Sequence, residues 1–165
     1  MNAQPYLFVV FFCLVACGVG LTFWLIITVF RAKQRQVERE GLTKRPDGGI
    51  NVPLVAAFGG WKYVIWIART SSSIAPLLVL HESDLEYRVI RLKRQPYTDV
   101  SAVDLRTTIG TVNIVFEFRA SIRTFAANTA SRRNAMEALA ILKGKGCPLT
   151  ERAEALLAAK EINSK

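Results

Sequence analysis

The chain has 165 residues, 51% of them hydrophobic, and a formal net charge of +9 at pH 7. Because one apolar stretch near the start holds much of that hydrophobicity, the remaining length fits one small domain with linkers. The three cysteines form no CxxC pair and there is a single histidine, which excludes the usual zinc-site spacings and a disulfide framework. We therefore expect neither a metal nor another cofactor.

Residues 6–30 contain no charged side chain and predict a transmembrane anchor, which we assign to residues 1–30. A helix needs about 20 apolar residues to cross the hydrocarbon core of a bilayer, and this stretch would reach about 37 Å. The alternative is cleavage of a lipoprotein signal before Cys17, because residues 14–17 fit that pattern. The lack of basic residues before the stretch, and its continuation beyond Cys17, favour an uncleaved anchor.

Basic residues follow the anchor within a juxtamembrane linker predicted over residues 31–49. They are Arg31, Lys33, Arg35, Arg39, Lys44 and Arg45. Because cytoplasmic flanks of membrane helices are rich in Lys and Arg, we predict a single pass through the cell (inner) membrane, with the N-terminus outside and the C-terminal domain cytoplasmic. The same side chains would lie against anionic headgroups. We expect membrane lipids as partners and no nucleic acid, since the other basic residues are scattered and largely matched by acids.

Small side chains share one face of the predicted anchor helix, at the spacing i, i+3, i+4 and i+7. They are Cys13, Ala16, Cys17 and Gly20. Small residues let a second transmembrane helix approach closely. This small-residue face therefore predicts packing against other integral membrane proteins.

Residues 50–69 are apolar but interrupted, and two interpretations are open. We favour a segment that lies on the membrane surface or packs on the domain and leads into a strand over residues 62–69. Trp61 and Trp66 suit an interface between apolar and polar surroundings. The alternative is a second membrane span, which a proline, a glycine pair and the charge of Lys62 disfavour.

Residues 70–165 predict a folded domain of short antiparallel strands followed by helices. Alternating or continuous apolar runs indicate strands at residues 76–81, 85–90, 100–105, 112–118 and 122–127. Ser131 is the predicted N-cap of a helix that two glycines terminate, and Thr150 is the predicted cap of a second helix. Strands joined by tight turns and then helices indicate an antiparallel sheet or small barrel.

The pattern of strands and helix is carried by the segments LVLHESDLEYRVI, PYTDVSAVDL, TVNIVFEF and NAMEALAILKGKG. Over residues 77–142 it resembles the bacterial pleckstrin-homology-like (PH-like) domains and is similar to GRAM-type domains. The resemblance implies an α+β chain: one transmembrane helix, then a small antiparallel PH-like sheet or barrel with C-terminal helices. It also implies a domain that binds proteins or lipids and has no catalytic residues.

A second basic cluster, formed by Arg88, Arg91, Lys93 and Arg94, is the candidate contact for an anion or an acidic partner. The alternative is a solvated strand end. His81 stands in no recognisable catalytic motif, and we expect a structural or surface histidine. We therefore predict a scaffold or accessory subunit without enzymatic activity, which binds other membrane proteins through its transmembrane helix and cytoplasmic domain. An anionic-lipid-binding module is the alternative.

Overall fold

The structure, a computed structural model, describes residues 4–62, 70–72, 75–108 and 111–162, and describes no side chains at residues 4–7, 70–72, 108 and 160–162. The chain divides into two compact units, Met1–Gln36 and Val37–Lys165. The first unit is helical, and the second, which we call the domain, combines two antiparallel sheets with helices. The predicted α+β class with a long apolar N-terminal helix is therefore confirmed.

The predicted anchor is part of one long helix, α1 (Gln4–Arg39). Its segment Phe8–Arg39 is long and apolar enough to cross a membrane, and no other helix among the described residues meets that requirement. The hydroxyls of Thr22 and Thr28 each donate to the carbonyl oxygen four residues earlier, at 2.8 Å. Their polar groups are thus satisfied within the helix, as a hydrocarbon environment requires. The helix continues through four of the six basic residues, Arg31, Lys33, Arg35 and Arg39, and ends before Lys44 and Arg45.

The described part of the domain contains ten strands. In chain order they are β1 (Thr43–Lys44), β2 (Ile50–Asn51), β3 (Ala56–Trp61), β4 (Thr70–Ser72), β5 (Leu77–Leu80), β6 (Asp84–Arg88), β7 (Leu92–Pro96), β8 (Val100–Thr108), β9 (Thr111–Phe118) and β10 (Arg123–Asn128). The first sheet has the order β1-β2-β5-β6-β7 and the second has the order β4-β3-β10-β9-β8. A short 3-10 helix, Tyr97–Asp99, leads from the first sheet into the second.

The core lies between the two sheets. Tyr87 of β6 packs on Phe118 of β9 and Phe125 of β10, with ring centroids 5.6 and 4.5 Å apart. Leu78 and Ile114, from the two sheets, have no exposed surface and belong to the same hydrophobic cluster. The inner face of each strand is apolar because successive side chains point to opposite faces of a sheet.

Two helices complete the domain, α2 (Arg132–Gly144) and α3 (Glu151–Ile162). The side-chain oxygens of Ser131 and Thr150 each accept a hydrogen bond at 3.3 Å from the backbone amide three residues later. Both predicted caps are therefore confirmed. The helices bury apolar side chains in the same core, among them the fully buried Leu139 of α2.

The segment predicted over residues 50–69 is largely part of the domain. Val52 and Val55 are 1% and 0% exposed, and β3 pairs along its whole length with β10. Packing on the domain, one of the two predicted alternatives, fits these buried residues. The strand here differs from the predicted one, because β3 ends at Trp61, and residues 63–69, with Trp66, lie outside the described residues.

The compact unit begins at Val37 and so takes in residues 37–49, which were predicted as linker. Residues 43–44 and 50–51 pair as β1 and β2, and β2 continues the first sheet by pairing with β5. These two-residue strands lack the length that makes a periodic pattern readable in the sequence.

Candidate functional site

An open cavity of about 720 Å³ lies between the two sheets. Its lining comes from β3, β6, β7, β9 and β10, and from the turns that join β6 to β7 and β9 to β10. Small-molecule sites in proteins range from roughly 300 to 1,000 Å³. The cavity is therefore large enough to hold an organic ligand.

Apolar side chains supply much of the cavity wall. They are Trp61, Tyr87, Val89, Ile90, Phe118 and Phe125. The three central rings, of Tyr87, Phe118 and Phe125, are only 8%, 5% and 1% exposed. Burial also raises the pKa of Tyr87, so its hydroxyl is uncharged at neutral pH. These three rings therefore belong to the packed core and present little of their surface to the cavity.

Two glycines of β3, Gly59 and Gly60, also line the cavity. In the sheet register Gly59 lies opposite Phe125 and Gly60 lies opposite Thr124. Because side chains alternate between faces, Gly59 is on the face of Phe125, which points into the core, and Gly60 is on the other face.

Three cations complete the lining, Arg91, Lys93 and Arg123, and all three are exposed. We call them the cationic mouth. Lys93 lies opposite Tyr87 in the register of the first sheet, and Arg123 lies opposite Trp61 in the second. None of the described residues that line the cavity is acidic. Since clefts lined by charges of one sign concentrate oppositely charged ligands, this opening favours an anion.

The structure divides the predicted basic cluster into two pairs. Arg88 Nε donates to the carbonyl oxygen of Ala75 at 2.8 Å, and Arg94 Nε donates to Asp84 Oδ1 at 2.7 Å. The hydrogen bond from Arg94 lowers the pKa of Asp84, so this ion pair persists into acidic solution. The other two members, Arg91 and Lys93, line the cavity. Strand alternation explains part of this division, because Lys93 and Arg94 are neighbours and point to opposite faces.

Two of the exposed apolar side chains of the domain line the same cavity. Outside α1, the described residues include four large apolar side chains that are exposed: Trp61 at 40%, Ile90 at 69%, Leu92 at 56% and Ile122 at 60%. Trp61 and Ile90 line the cavity, whereas Leu92 and Ile122, each next in sequence to a residue of the cationic mouth, are not among its lining residues. We call these four the apolar rim. A clustered set of exposed apolar groups marks an interaction surface, whereas scattered ones do not.

The predicted sites on α1 are separate from the cavity lining. Arg31, Arg35 and Arg39 are exposed at four-residue intervals, which puts them on one helix face, and Lys33 is partly exposed. The small-residue face is exposed along its length; it consists of Cys13, Ala16, Cys17 and Gly20. A Cβ added at Gly20 would meet no atom within 4 Å.

The remaining predicted residues have local roles. Lys44 is exposed in β1, and Arg45 lies 4.0 Å from the carboxylate of Asp47 in the following turn. His81 is 9% exposed, with Nε2 3.3 Å from Glu86 Oε2, which fits a structural histidine. Among the described residues, no three His, Cys, Asp or Glu side chains are grouped so that they could hold a metal ion.

Sequence reasoning missed Arg123, Gly59 and three members of the apolar rim, Ile90, Leu92 and Ile122. Two local signals were present. One aliphatic residue lies between two cations in Arg-Leu-Lys at residues 91–93, and another precedes the arginine in Ser-Ile-Arg at residues 121–123. Glycine inside a strand is also a known sign of close approach by a ligand or another backbone.

Comparison with known proteins identifies no family for this chain. No protein-family model and no curated protein matches it. The function is therefore argued from the cavity and its surroundings.

Proposed function

We propose that the chain is a single-pass membrane protein whose cytoplasmic domain docks on anionic lipid headgroups, through the cationic mouth and the apolar rim, and has no enzymatic activity. One observation carries this proposal. Two of the four exposed apolar side chains of the described domain, Trp61 and Ile90, line the cavity together with three cations, and none of the described lining residues is acidic. The N-terminus outside and the domain inside follow from the basic residues after the apolar stretch.

The two groups of side chains match the two layers of a membrane surface. Each Lys or Arg near an anionic leaflet is worth about 1 kcal/mol, so the cationic mouth supplies about 3 kcal/mol. Exposed Ile and Leu side chains can insert at the boundary between headgroups and acyl chains. Trp61 belongs to the residue type enriched at that depth. A surface for an acidic protein would need the cations but not four exposed apolar residues beside them.

The chemistry of the lining supports binding rather than catalysis. Its uncharged polar side chains are an amide and three hydroxyls, those of Gln95, Tyr87, Ser121 and Thr124. Among the described residues, the lining includes no carboxylate, imidazole or thiol that could act on a bound molecule as a base or nucleophile. The scaffold role predicted from the sequence rests on the small-residue face of α1 and stays a prediction.

Hydrogen exchange of the full chain in nanodiscs tests the docking. We expect the backbone of residues 89–93 to exchange more slowly in nanodiscs with anionic phosphatidylglycerol than in nanodiscs of neutral phosphatidylcholine alone. The reason is that docking covers the β6–β7 turn with headgroups. Equal exchange in the two lipids would contradict the proposal.

Two double variants of the same hairpin provide a matched control. Arg91→Gln with Lys93→Gln removes two charges that line the cavity, whereas Arg88→Gln with Arg94→Gln removes two charges that do not. Both lower the net charge by the same amount. The first pair should abolish the lipid-dependent protection and the second should retain most of it. If both double variants lose the lipid-dependent protection equally, net charge alone attracts the domain to the lipid, and a specific role of the cationic mouth is refuted.

A further inference from the structure

The strand β7 lies at the end of the first sheet, and β6 is its one neighbouring strand among the described residues. The amide of Tyr97, just after β7, donates to the carbonyl oxygen of Ser83 at 3.2 Å, so this opposite pair is a hydrogen-bonded one. In an antiparallel ladder bonded and non-bonded pairs alternate, so Lys93 bonds to β6, whereas Leu92 and Arg94 direct their N–H and C=O groups away from it. Donors and acceptors therefore alternate along the outer edge of β7.

This edge is accessible. Residues 92–94 are all exposed, and Leu92 is 56% exposed. The edge strand β8 of the second sheet differs, because the amide of Val103 donates to Pro148 at 2.8 Å and its carbonyl accepts from Thr150 at 2.9 Å. None of the described residues makes such a bond to the outward backbone groups of β7. The edge of β7 can therefore pair with another strand.

We propose that β7 accepts an antiparallel strand from a partner protein, an extended segment in which acidic and apolar residues alternate. Addition of a strand to an open sheet edge is a common mode of peptide recognition, in which the backbone supplies affinity and alternate side chains supply specificity. The pairing is antiparallel, as it is between all the paired strands of the two sheets. This inference goes beyond headgroup docking and does not depend on it.

The side chains of β7 define the chemistry of the partner. Arg91 and Lys93 lie on one face, both are exposed, and neither forms an ion pair with any described residue. On the other face Leu92 is exposed, and Arg94 is already paired with Asp84 at 2.7 Å. Opposite side chains of neighbouring strands lie on the same face and contact each other. The partner therefore needs carboxylates on the face of Lys93 and apolar side chains on the face of Leu92.

The charge of β7 disfavours a second copy of this chain as the partner. Residues 91–94 include three cations, and pairing two such edges would place like charges opposite each other, which is destabilising. Cations on edge strands are a known protection against this kind of self-association. The same charges attract an acidic segment, so repulsion and attraction together give specificity.

A synthetic peptide tests the proposal on the full chain in nanodiscs of neutral phosphatidylcholine. The probe alternates four glutamates with three valines, and the control joins the same seven residues as a block of glutamates followed by a block of valines. At saturation the probe should slow residue-resolved hydrogen exchange at the amides of Leu92 and Arg94 by about tenfold or more. The amide of Lys93, already bonded to β6, should change less. No protection, or equal protection by the control peptide, would refute the proposal.

N-methylated peptides distinguish backbone pairing from attraction by charge. In the proposed pairing the valines lie opposite Leu92 and Arg94, so the valine amides bond to the edge and the glutamate amides point away from it. Methylation of the valine amides should weaken binding by about tenfold or more, because each loses a donor and places a methyl group against β7. Methylation of the glutamate amides should leave the affinity near that of the unmodified peptide. Equal effects, or the reverse order, would overturn the proposal.

Lys93→Gln and Lys143→Gln are the matched variants, since each removes one positive charge and Lys143 is exposed on α2. Titration calorimetry should show an affinity for the probe about three- to fivefold lower for the first, the effect of an exposed ion pair. The second should leave the affinity unchanged. If both variants have the same affinity, the acidic face of the partner is refuted. Strand addition and headgroup docking fail separately, because the first is measured in neutral nanodiscs and the second requires anionic ones.

Discussion

Asn134 offers the sharpest test of how the domain is held together. It is 1% exposed at the start of α2, and its Nδ2 donates to the carbonyl oxygens of Glu40 at 2.7 Å and Val37 at 3.4 Å. The last carbonyls of a helix have no acceptor role inside that helix, and α1 ends at Arg39. Asn134 therefore satisfies carbonyls that lie more than ninety positions earlier in the chain.

Asn134→Ala removes both hydrogen bonds and leaves a buried acceptor unpaired. With about 1 kcal/mol for each bond and a further penalty for the unpaired carbonyl, the free energy of unfolding of the domain should fall by about 2–3 kcal/mol. For a urea dependence of roughly 1.5 kcal/mol per molar, the unfolding midpoint should fall by about 1.3–2 M.

Pulse proteolysis in urea measures this midpoint on the full chain in mild detergent. The control is Arg132→Ala, since Arg132 lies in the same helical turn but is exposed. A surface substitution of this kind should change the free energy of unfolding by less than about 0.5 kcal/mol. If the two variants shift the midpoint equally, the hydrogen bonds of Asn134 do not stabilise the domain and the argument is refuted.

Three further perturbations follow from the packing of the domain. Gly49→Ala would place a Cβ 2.7 Å from Cγ1 of the fully buried Val79, so we expect the free energy of unfolding to fall by about 1–3 kcal/mol. Urea unfolding measures this change, and an unchanged midpoint would contradict it. Thr150→Val removes the α3 cap and the 2.9 Å hydrogen bond to Asp104, so amides of α3 should exchange faster by about tenfold, whereas Thr150→Ser should not change them. Burial raises the pKa of Cys147 to about 11, so at pH 8 its thiol should be alkylated much more slowly in the native protein than in urea-unfolded protein. Peptide mapping measures the two rates, and equal rates would refute the burial of Cys147.

Elements with long, regular patterns could be predicted from the sequence. β9 alternates inward and outward side chains over its whole length, and Ser131 and Thr150 mark their helices by their hydrogen-bonding chemistry alone. In each case the signal is local, because strand alternation and capping depend on residues a few positions apart. α1 is the clearest case, because its 25 consecutive uncharged residues can be recognised without information from any other part of the chain.

β3 and the cavity were harder to predict because both depend on residues that are far apart in the sequence. β3 contains Gly59 and Gly60, which weaken a strand pattern, and its position in the sheet depends on β10 more than sixty residues away. The cavity joins side chains from five strands and two turns. The sequence located the basic cluster but could not show which of its members line the cavity. Only the strand register shows that Arg94 pairs with Asp84 and that Lys93 lies opposite Tyr87.

If α1 is a membrane anchor, as proposed, the cationic mouth needs only a weak affinity for headgroups. A domain tethered to a bilayer meets headgroups at millimolar effective concentration or above, so weak docking is enough. The three cations together contribute about 3 kcal/mol, which favours the docked state by about two orders of magnitude. That preference orients a tethered domain but would recruit a soluble protein only weakly. The same tether makes the apolar rim tolerable, because exposed apolar patches are an aggregation hazard mainly for chains free in water. The proposed functions of α1 and of the cavity therefore depend on each other.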